Sequence, residues 1–174
     1  VKEGCDVLLD QLTPDHGEAV TVQLRRSPAG TALQHIRLGA SLDNLGIAID
    51  IGSTTVAGHL MDLSSGEVLH SAGSMNQQIR LGEDLMSRVR YVMMNDDGAL
   101  NLRSLARDTV GKLITELVEG AACSLSDITE IVLVGNTIMH HSFLGFDVVP
   151  LGQMPFELAT ESAVELPAVD LELP

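Results

Sequence analysis

The sequence predicts an α/β fold, and three observations carry that reading. Between Leu45 and Gly73, three short segments alternate apolar and polar residues across tight turns, the pattern of an antiparallel meander. From about residue 100 to 120, apolar residues recur at helical spacing. A compact apolar run, Ile131-Val-Leu-Val134, follows that helix and reads as a buried, parallel strand. The predicted order is β-β-β-α-α-β-α: a meander, a crossover by helices, a parallel strand and a short last helix.

Residues 1–44 read as a separate, short β-rich piece. Val20, Val22 and Leu24 alternate with polar residues, as on a half-buried strand. Arg25-Arg-Ser-Pro-Ala-Gly30 is a turn cluster, Ile36 and Leu38 suit the returning strand, and Ser41-Leu-Asp-Asn44 is a junction. So short a piece buries little surface by itself, so it is expected to be the tail of a preceding domain.

From Leu45 the pattern is continuous. Strands are expected at about 45–51, 54–62 and 67–73, with Ser64-Ser-Gly66 as a turn. In Gly82-Glu-Asp-Leu-Met-Ser-Arg-Val-Arg-Tyr-Val-Met-Met94, Leu85, Val89, Val92 and Met93 fall at helical spacing, and Asn95-Asp-Asp-Gly98 ends the run. Leu102, Leu105, Ala106, Thr109, Val110, Leu113, Ile114, Leu117 and Val118 then mark the core-facing stripe of a longer helix. After the parallel strand, Asn136 is a good N-cap for a helix over 138–144, and Gly145 a good terminator. Residues 45–150 thus form one unit. Residues 151–174 read as a Pro-punctuated, acidic connecting segment that closes no domain. The first residue is Val1, and with that open end it suggests a fragment of a larger protein.

Composition narrows the function classes. Tyr91, Phe143, Phe146 and Phe156 are the only aromatic residues, so the core is aliphatic and stacking platforms for bases are disfavoured. The formal net charge is −14, from 24 acidic and 10 basic residues, a field that repels phosphate backbones and argues against nucleic acid. A small phosphate ligand is still admitted, because magnesium and backbone dipoles act locally. Cys5 and Cys123 are too few for a four-thiolate cluster or a structural zinc site. A reducing cytoplasm is the simplest compartment. No apolar run reaches the ~18–20 residues that span a membrane, and Val1-Lys-Glu-Gly-Cys-Asp6 is no signal peptide.

The chemistry concentrates where the first two meander strands meet. In Leu45-Gly-Ile-Ala-Ile-Asp-Ile-Gly-Ser-Thr-Thr-Val-Ala-Gly58, an apolar run carries Asp50 near its end, then Gly52 and three hydroxyl residues. Gly52 lets the backbone turn sharply and approach a ligand. Ser53, Thr54 and Thr55 offer hydroxyl and N–H donors to a phosphate, and the Asp50 carboxylate can position a hydrated magnesium ion. An ordinary hairpin, with the aspartate and threonines only satisfying the turn, is the alternative.

That turn resembles the first phosphate motif of the acetate kinase, sugar kinase, heat-shock chaperone and actin superfamily. The strand order resembles that superfamily's ribonuclease-H-like subdomain. Two further stretches, Met75-Asn-Gln-Gln-Ile-Arg-Leu-Gly-Glu-Asp-Leu-Met-Ser-Arg88 and Val134-Gly-Asn-Thr-Ile-Met-His-His141, look like signature segments of the reductive activators of corrinoid proteins. Met154-Pro-Phe156 fits the segment that follows in them. The resemblance spans about residues 45–174. Departures are Ser53 where the family often has Thr, and Gln77 where it often has Pro.

The resemblance implies an ATPase that drives one-electron reduction of a cobalt(II) corrinoid to cobalt(I). Such activators carry a ferredoxin-like domain with a 2Fe-2S cluster, a middle domain and a C-terminal ATPase domain. The cysteines of the first are not in this chain, nor are the second phosphate motif and the adenine motif. This chain would supply one half of the nucleotide cleft, with a corrinoid protein as partner and a homodimer left open.

On that reading Asp50 sits near Mg²⁺, usually through water, and Gly52, Ser53, Thr54 and Thr55 cradle the β- and γ-phosphates. Glu83 and Asp84 are adjacent acids at a helix start; they suit the helix dipole, or one of them orients water or magnesium as a general base. Arg88 stands one turn from Asp84, placed to pair with it. Asn136 follows the parallel strand at its carboxyl end, where ligands of α/β sheets bind. His140 and His141 are adjacent on a helix and diverge by about 100°, so one metal ion cannot engage both. A small-molecule kinase of the same superfamily and a non-catalytic docking module are the competing functions.

Overall fold

The computed structural model describes residues 19–27, 30–39 and 44–174. The expectations for Val1–Asp6, the tip at 28–29 and residues 41–43 lie outside them. The chain divides into two compact units, Val1–Asn44 and Leu45–Pro174.

In the first unit, β1 (Val20–Ser27) pairs antiparallel with β2 (Gly30–Leu38), Val20 lying opposite Leu38 and Ser27 opposite Gly30. The strand continues through Arg25 and Arg26, where the sequence suggested that the turn had begun. Ile36 is buried, but Val20, Val22 and Leu24 are exposed, so their alternation marks a strand without marking a covered face.

The second unit is built on a four-stranded sheet of order β5-β4-β3-β6. Strands β3 (Leu45–Ile51), β4 (Thr55–Asp62) and β5 (Val68–Met75) form the meander. Helix α1 (Leu85–Met94) and helix α2 (Gly98–Gly120) make the crossover, and β6 (Ile128–Gly135) returns parallel to β3. Helix α3 (Thr137–Leu144) follows. Residues Gln77–Arg80 form a 3₁₀ turn before α1, which begins at Leu85, the first residue of the expected apolar spacing.

Alternation decides which side of the sheet is covered. Ile47, Ile49 and Ile51 of β3 lie opposite Leu60, Gly58 and Val56 of β4, and the five large side chains among them are all buried. The stripe on α2 lies on this face, where Leu113, Ile114 and Leu117 are fully buried beside Val110 and Ala106. On the other face Asp50, Ala57, His59, Val132 and Val134 are exposed. Strand β6 was expected to be buried. It is parallel as expected, but among the described residues it is an edge strand, and only Ile128, Ile131 and Leu133 of it pack on the core.

Residues 151–174 do more than connect. Leu151 and Leu171 are buried in the same core, and Glu172 lies 3.6 Å from the Arg107 guanidinium. The buried ring of His141 accepts the Ala159 N–H at Nε2 (3.1 Å). Its Nδ1 lies 2.9 Å from the Thr137 carbonyl, which assigns the proton to Nδ1. Met154 and Phe156 are exposed.

Candidate functional site

Residues Gly52, Ser53 and Thr54 connect β3 to β4, and the Gly52 N–H closes the turn on the Thr55 carbonyl at 3.1 Å. A Cβ at Gly52 would lie 2.5 Å from that carbonyl oxygen. Glycine is required here by close approach; its φ is outside the left-handed region.

The carbonyl oxygens of Gly52, Ser53 and Thr54 are held from beneath the turn. Gly52 O accepts from Asn76 Nδ2 at 2.8 Å, and Thr54 O from the Asn76 N–H at 2.8 Å. Ser53 O accepts from Arg88 Nη2 in a short bond. Thr55 O is held by Gly52. The donors show the opposite pattern. The N–H groups of Ser53 and Thr54, and the hydroxyls of Ser53, Thr54 and Thr55, make no hydrogen bond among the described residues. Thr54 and Thr55 are exposed and Ser53 half-buried. A turn whose acceptors are tied down and whose donors are free is a concavity for an anion.

The clamp beneath the turn is a buried polar network. Asn76, Gln78 and Arg88 are each 0 % exposed. Asn76 Oδ1 accepts the Gln78 N–H at 3.0 Å. The Gln78 amide donates to the Leu102 carbonyl (2.9 Å) and the Ser142 hydroxyl (3.3 Å). Its oxygen accepts from Arg88 Nη1 (3.2 Å). Arg88 also reaches the Met139 sulfur (3.3 Å) and, through Nε, the Gly82 carbonyl (3.0 Å). Such a network stays buried only when its members are satisfied, as these are. The two segments around 75–88 and 134–141 therefore meet under the turn. Sequence reasoning quoted both segments but did not single out Asn76 or Gln78. No local signal marked them, since their neighbours Met75, Gln77, Ile79 and Arg80 are exposed or half-buried.

Asp50 lies on the open face of the sheet, opposite Ala57 and Val134, and its exposed carboxylate makes no hydrogen bond among the described residues. Because Ile51 lies opposite Gly135 in the parallel ladder, the turn and Asn136 share the carboxyl end of β3 and β6. Asn136 caps α3, its Oδ1 accepting the Met139 N–H at 3.1 Å, and its side-chain NH₂ makes no further bond. Asp50, Gly52, Ser53, Thr54, Thr55 and Asn136 thus share one end of the sheet.

Glu83 and Asp84 stand outside this group, and neither bonds the turn. Asp84 caps α1, accepting the Ser87 N–H at 2.7 Å in a capping box. That N–H is the main reason its carboxyl is held below the usual carboxylate range. Glu83 is exposed and makes no bond among the described residues. The expected ion pair between Asp84 and Arg88 is not made, because Arg88 turns inward to the carbonyls. Burial pushes the Arg88 guanidinium down, against a weaker opposing pull from Asp84. His140 is held below the ordinary histidine value by desolvation first and His141 second. Among the described residues no three His, Cys, Asp or Glu side chains form a metal-binding group. No helix among them is long and apolar enough to cross a membrane.

A family model described as the RACo middle region matches residues 45–174. The chain belongs to that family. The corrinoid activation enzyme RamQ of Eubacterium limosum is 34% identical to it over 129 residues, which cover 74% of this chain and 22% of RamQ. A solved structure of a reductive activator for a corrinoid, iron–sulfur protein superposes with a TM-score of 0.84 at 34% identity. It covers 95% of this chain and 26% of that one. This RACo middle region therefore spans about a quarter of the proteins it matches. The resemblance to corrinoid activators is supported, and the α/β fold with it.

Proposed function

We propose that residues 45–174 form the first phosphate- and magnesium-binding half of a nucleotide cleft in an ATP-dependent reductive activator of a corrinoid protein. One observation carries this: three successive turn carbonyls, of Gly52, Ser53 and Thr54, are held from beneath while the N–H groups of Ser53 and Thr54 and the three hydroxyls are free of bonds among the described residues. The similarity to RamQ and to a reductive activator supplies the biological direction. We read the meander, crossover and parallel strand as a ribonuclease-H-like half of the cleft.

In this reading Ser53, Thr54 and Thr55 bind the β- and γ-phosphates through N–H and hydroxyl groups, and the Asn136 amide donates from the side. Magnesium fits the donors present. It keeps most of its waters and takes one or two carboxylates plus phosphate oxygens, so the lone Asp50 carboxylate suffices and no cluster is needed. The ion supplies charge neutralisation of the phosphates. Glu83 is the freer of the two adjacent acids to orient water, since Asp84 is engaged as a cap. The full-length protein would couple ATP hydrolysis to reduction of cobalt(II) to cobalt(I) on a corrinoid protein in the cytoplasm, with the electron from a 2Fe-2S cluster in another domain.

The test is Asp50→Ala in the full-length protein. Magnesium-dependent ATPase activity is expected to fall at least a hundredfold with the melting temperature little changed. Unchanged turnover would remove Asp50 from the magnesium site.

A further inference from the structure

Arg88 is a charge buried without a counter-ion. It is 0 % exposed, and every partner it has is neutral: the carbonyls of Gly82 and Ser53, the Gln78 amide oxygen and the Met139 sulfur. Among the described residues no carboxylate forms an ion pair with it; the nearest acid in sequence, Asp84, is exposed, is occupied in capping α1 and exerts only a pull weaker than the effect of burial. An arginine keeps its proton in proteins. Burying such a charge costs several kcal/mol unless something compensates it, and polar bonds alone compensate in part. A sequence reading pairs Arg88 with Asp84, one helical turn away. The fold spends it inside.

Its position suggests the reason. One N–H of the guanidinium holds Ser53 O, so the cation lies one residue beneath the free donors of the turn. The same bond turns the Ser53 carbonyl inward and leaves the following N–H facing out. We infer that Arg88 is a positioning residue for polyphosphate: it presets the Gly52–Thr55 turn, and the bound phosphate is the counter-ion its guanidinium lacks. The inference rests on the phosphate-binding reading above and adds a charge that acts from behind the backbone. In a low-dielectric site a full charge at that depth acts on the ligand with little screening. Nothing about the bound sugar or base enters, so the effect should scale with phosphate charge.

The experiment measures binding of Mg·ATP, Mg·ADP and adenosine to the full-length protein by calorimetry, for the wild type, Arg88→Gln and Arg88→Lys. Expected for Arg88→Gln is a loss of at least tenfold for ATP, a smaller loss for ADP and none for adenosine. Arg88→Lys keeps the charge and should hold the ATP-to-adenosine ratio within about threefold of wild type. Equal losses for all three ligands would show a structural role only and overturn the inference, as would wild-type ATP affinity in Arg88→Gln. If Arg88→Gln does not fold, Arg88→Lys decides: a tenfold fall in its ATP-to-adenosine ratio overturns the role of charge. Failure of the wild type itself to bind ATP would overturn the underlying phosphate reading, an outcome distinct from the others.

Discussion

Gly52 and Asn76 act on the same turn from opposite sides. Gly52 admits the Thr55 carbonyl where a methyl group would clash, and Asn76 holds the Gly52 and Thr54 carbonyls from below. Gly52→Ala should therefore open the turn and reduce ATP affinity of the full-length protein more than tenfold, read by calorimetry. Asn76→Ala strands a buried carbonyl and the buried Gln78 N–H, each worth about 1–3 kcal/mol when unsatisfied. Its urea midpoint should drop accordingly, and an unchanged midpoint would mean that water replaces the amide. Asp50 and the turn were legible because aspartate, glycine and hydroxyls in a row have a local chemical meaning. Asn76 and Arg88 were not. Their partners stand 24 and 35 residues away along the chain, a separation that no local pattern encodes.

Helix α2 shows the other extreme. Its stripe from Leu102 to Val118 was readable, except that Leu105 is only half-buried and Arg107 is buried, because burial on one face of a helix imposes a period that survives in the sequence. Leu113→Ala removes a fully buried side chain between helix and sheet and should cost about 2–5 kcal/mol in chemical unfolding. Helix α1 was less legible. Its start at Leu85 matches the apolar spacing and is marked by the Asp84–Ser87 capping box, but Arg88, expected to pair with Asp84, is buried along with Val89 instead. That cap has a pH signature. The folded-state pKa of Asp84 is depressed, so the unfolded chain binds the proton more readily. The cap's stabilisation is present above the unfolded-state value and is lost as pH falls through the folded one. Asp84→Ala should lower the urea midpoint at neutral pH, with the gap to wild type closing as pH drops below about 3.8, the ordinary value. A gap independent of pH would assign the effect to the helix propensity of the new residue.

At the scale of the molecule, the sheet leaves Asp50, Val132 and Val134 on an open face, and the Gly52–Thr55 turn at one end. On the proposed function the 174-residue chain holds one side of a cleft. It should bind Mg·ATP only weakly. Calorimetry showing micromolar affinity for the isolated chain would mean that the turn, Asp50 and Asn136 make a sufficient site by themselves. The terminal segment also belongs to this scale. Residues 151–174 carry no strong period and read as a connector, yet Leu151, Leu171, Ala159 and Glu172 anchor to the core, to His141 and to Arg107. Single anchors far apart in sequence leave no periodic trace.

The sequence by itself determined the α/β class, the strand and helix order from Leu45 to Leu144, and the place of the glycine- and hydroxyl-bearing turn between β3 and β4. Those follow from hydrophobic periodicity and turn chemistry, which act over a few residues. Only the tertiary structure decided that β6 lies at an edge, that Asp84 caps a helix while Arg88 goes inside, and that Asn76 and Arg88 tie the carbonyls of the turn. These depend on which distant segments meet, and a buried charge or amide chooses its partners only once the chain has brought them within hydrogen-bond reach.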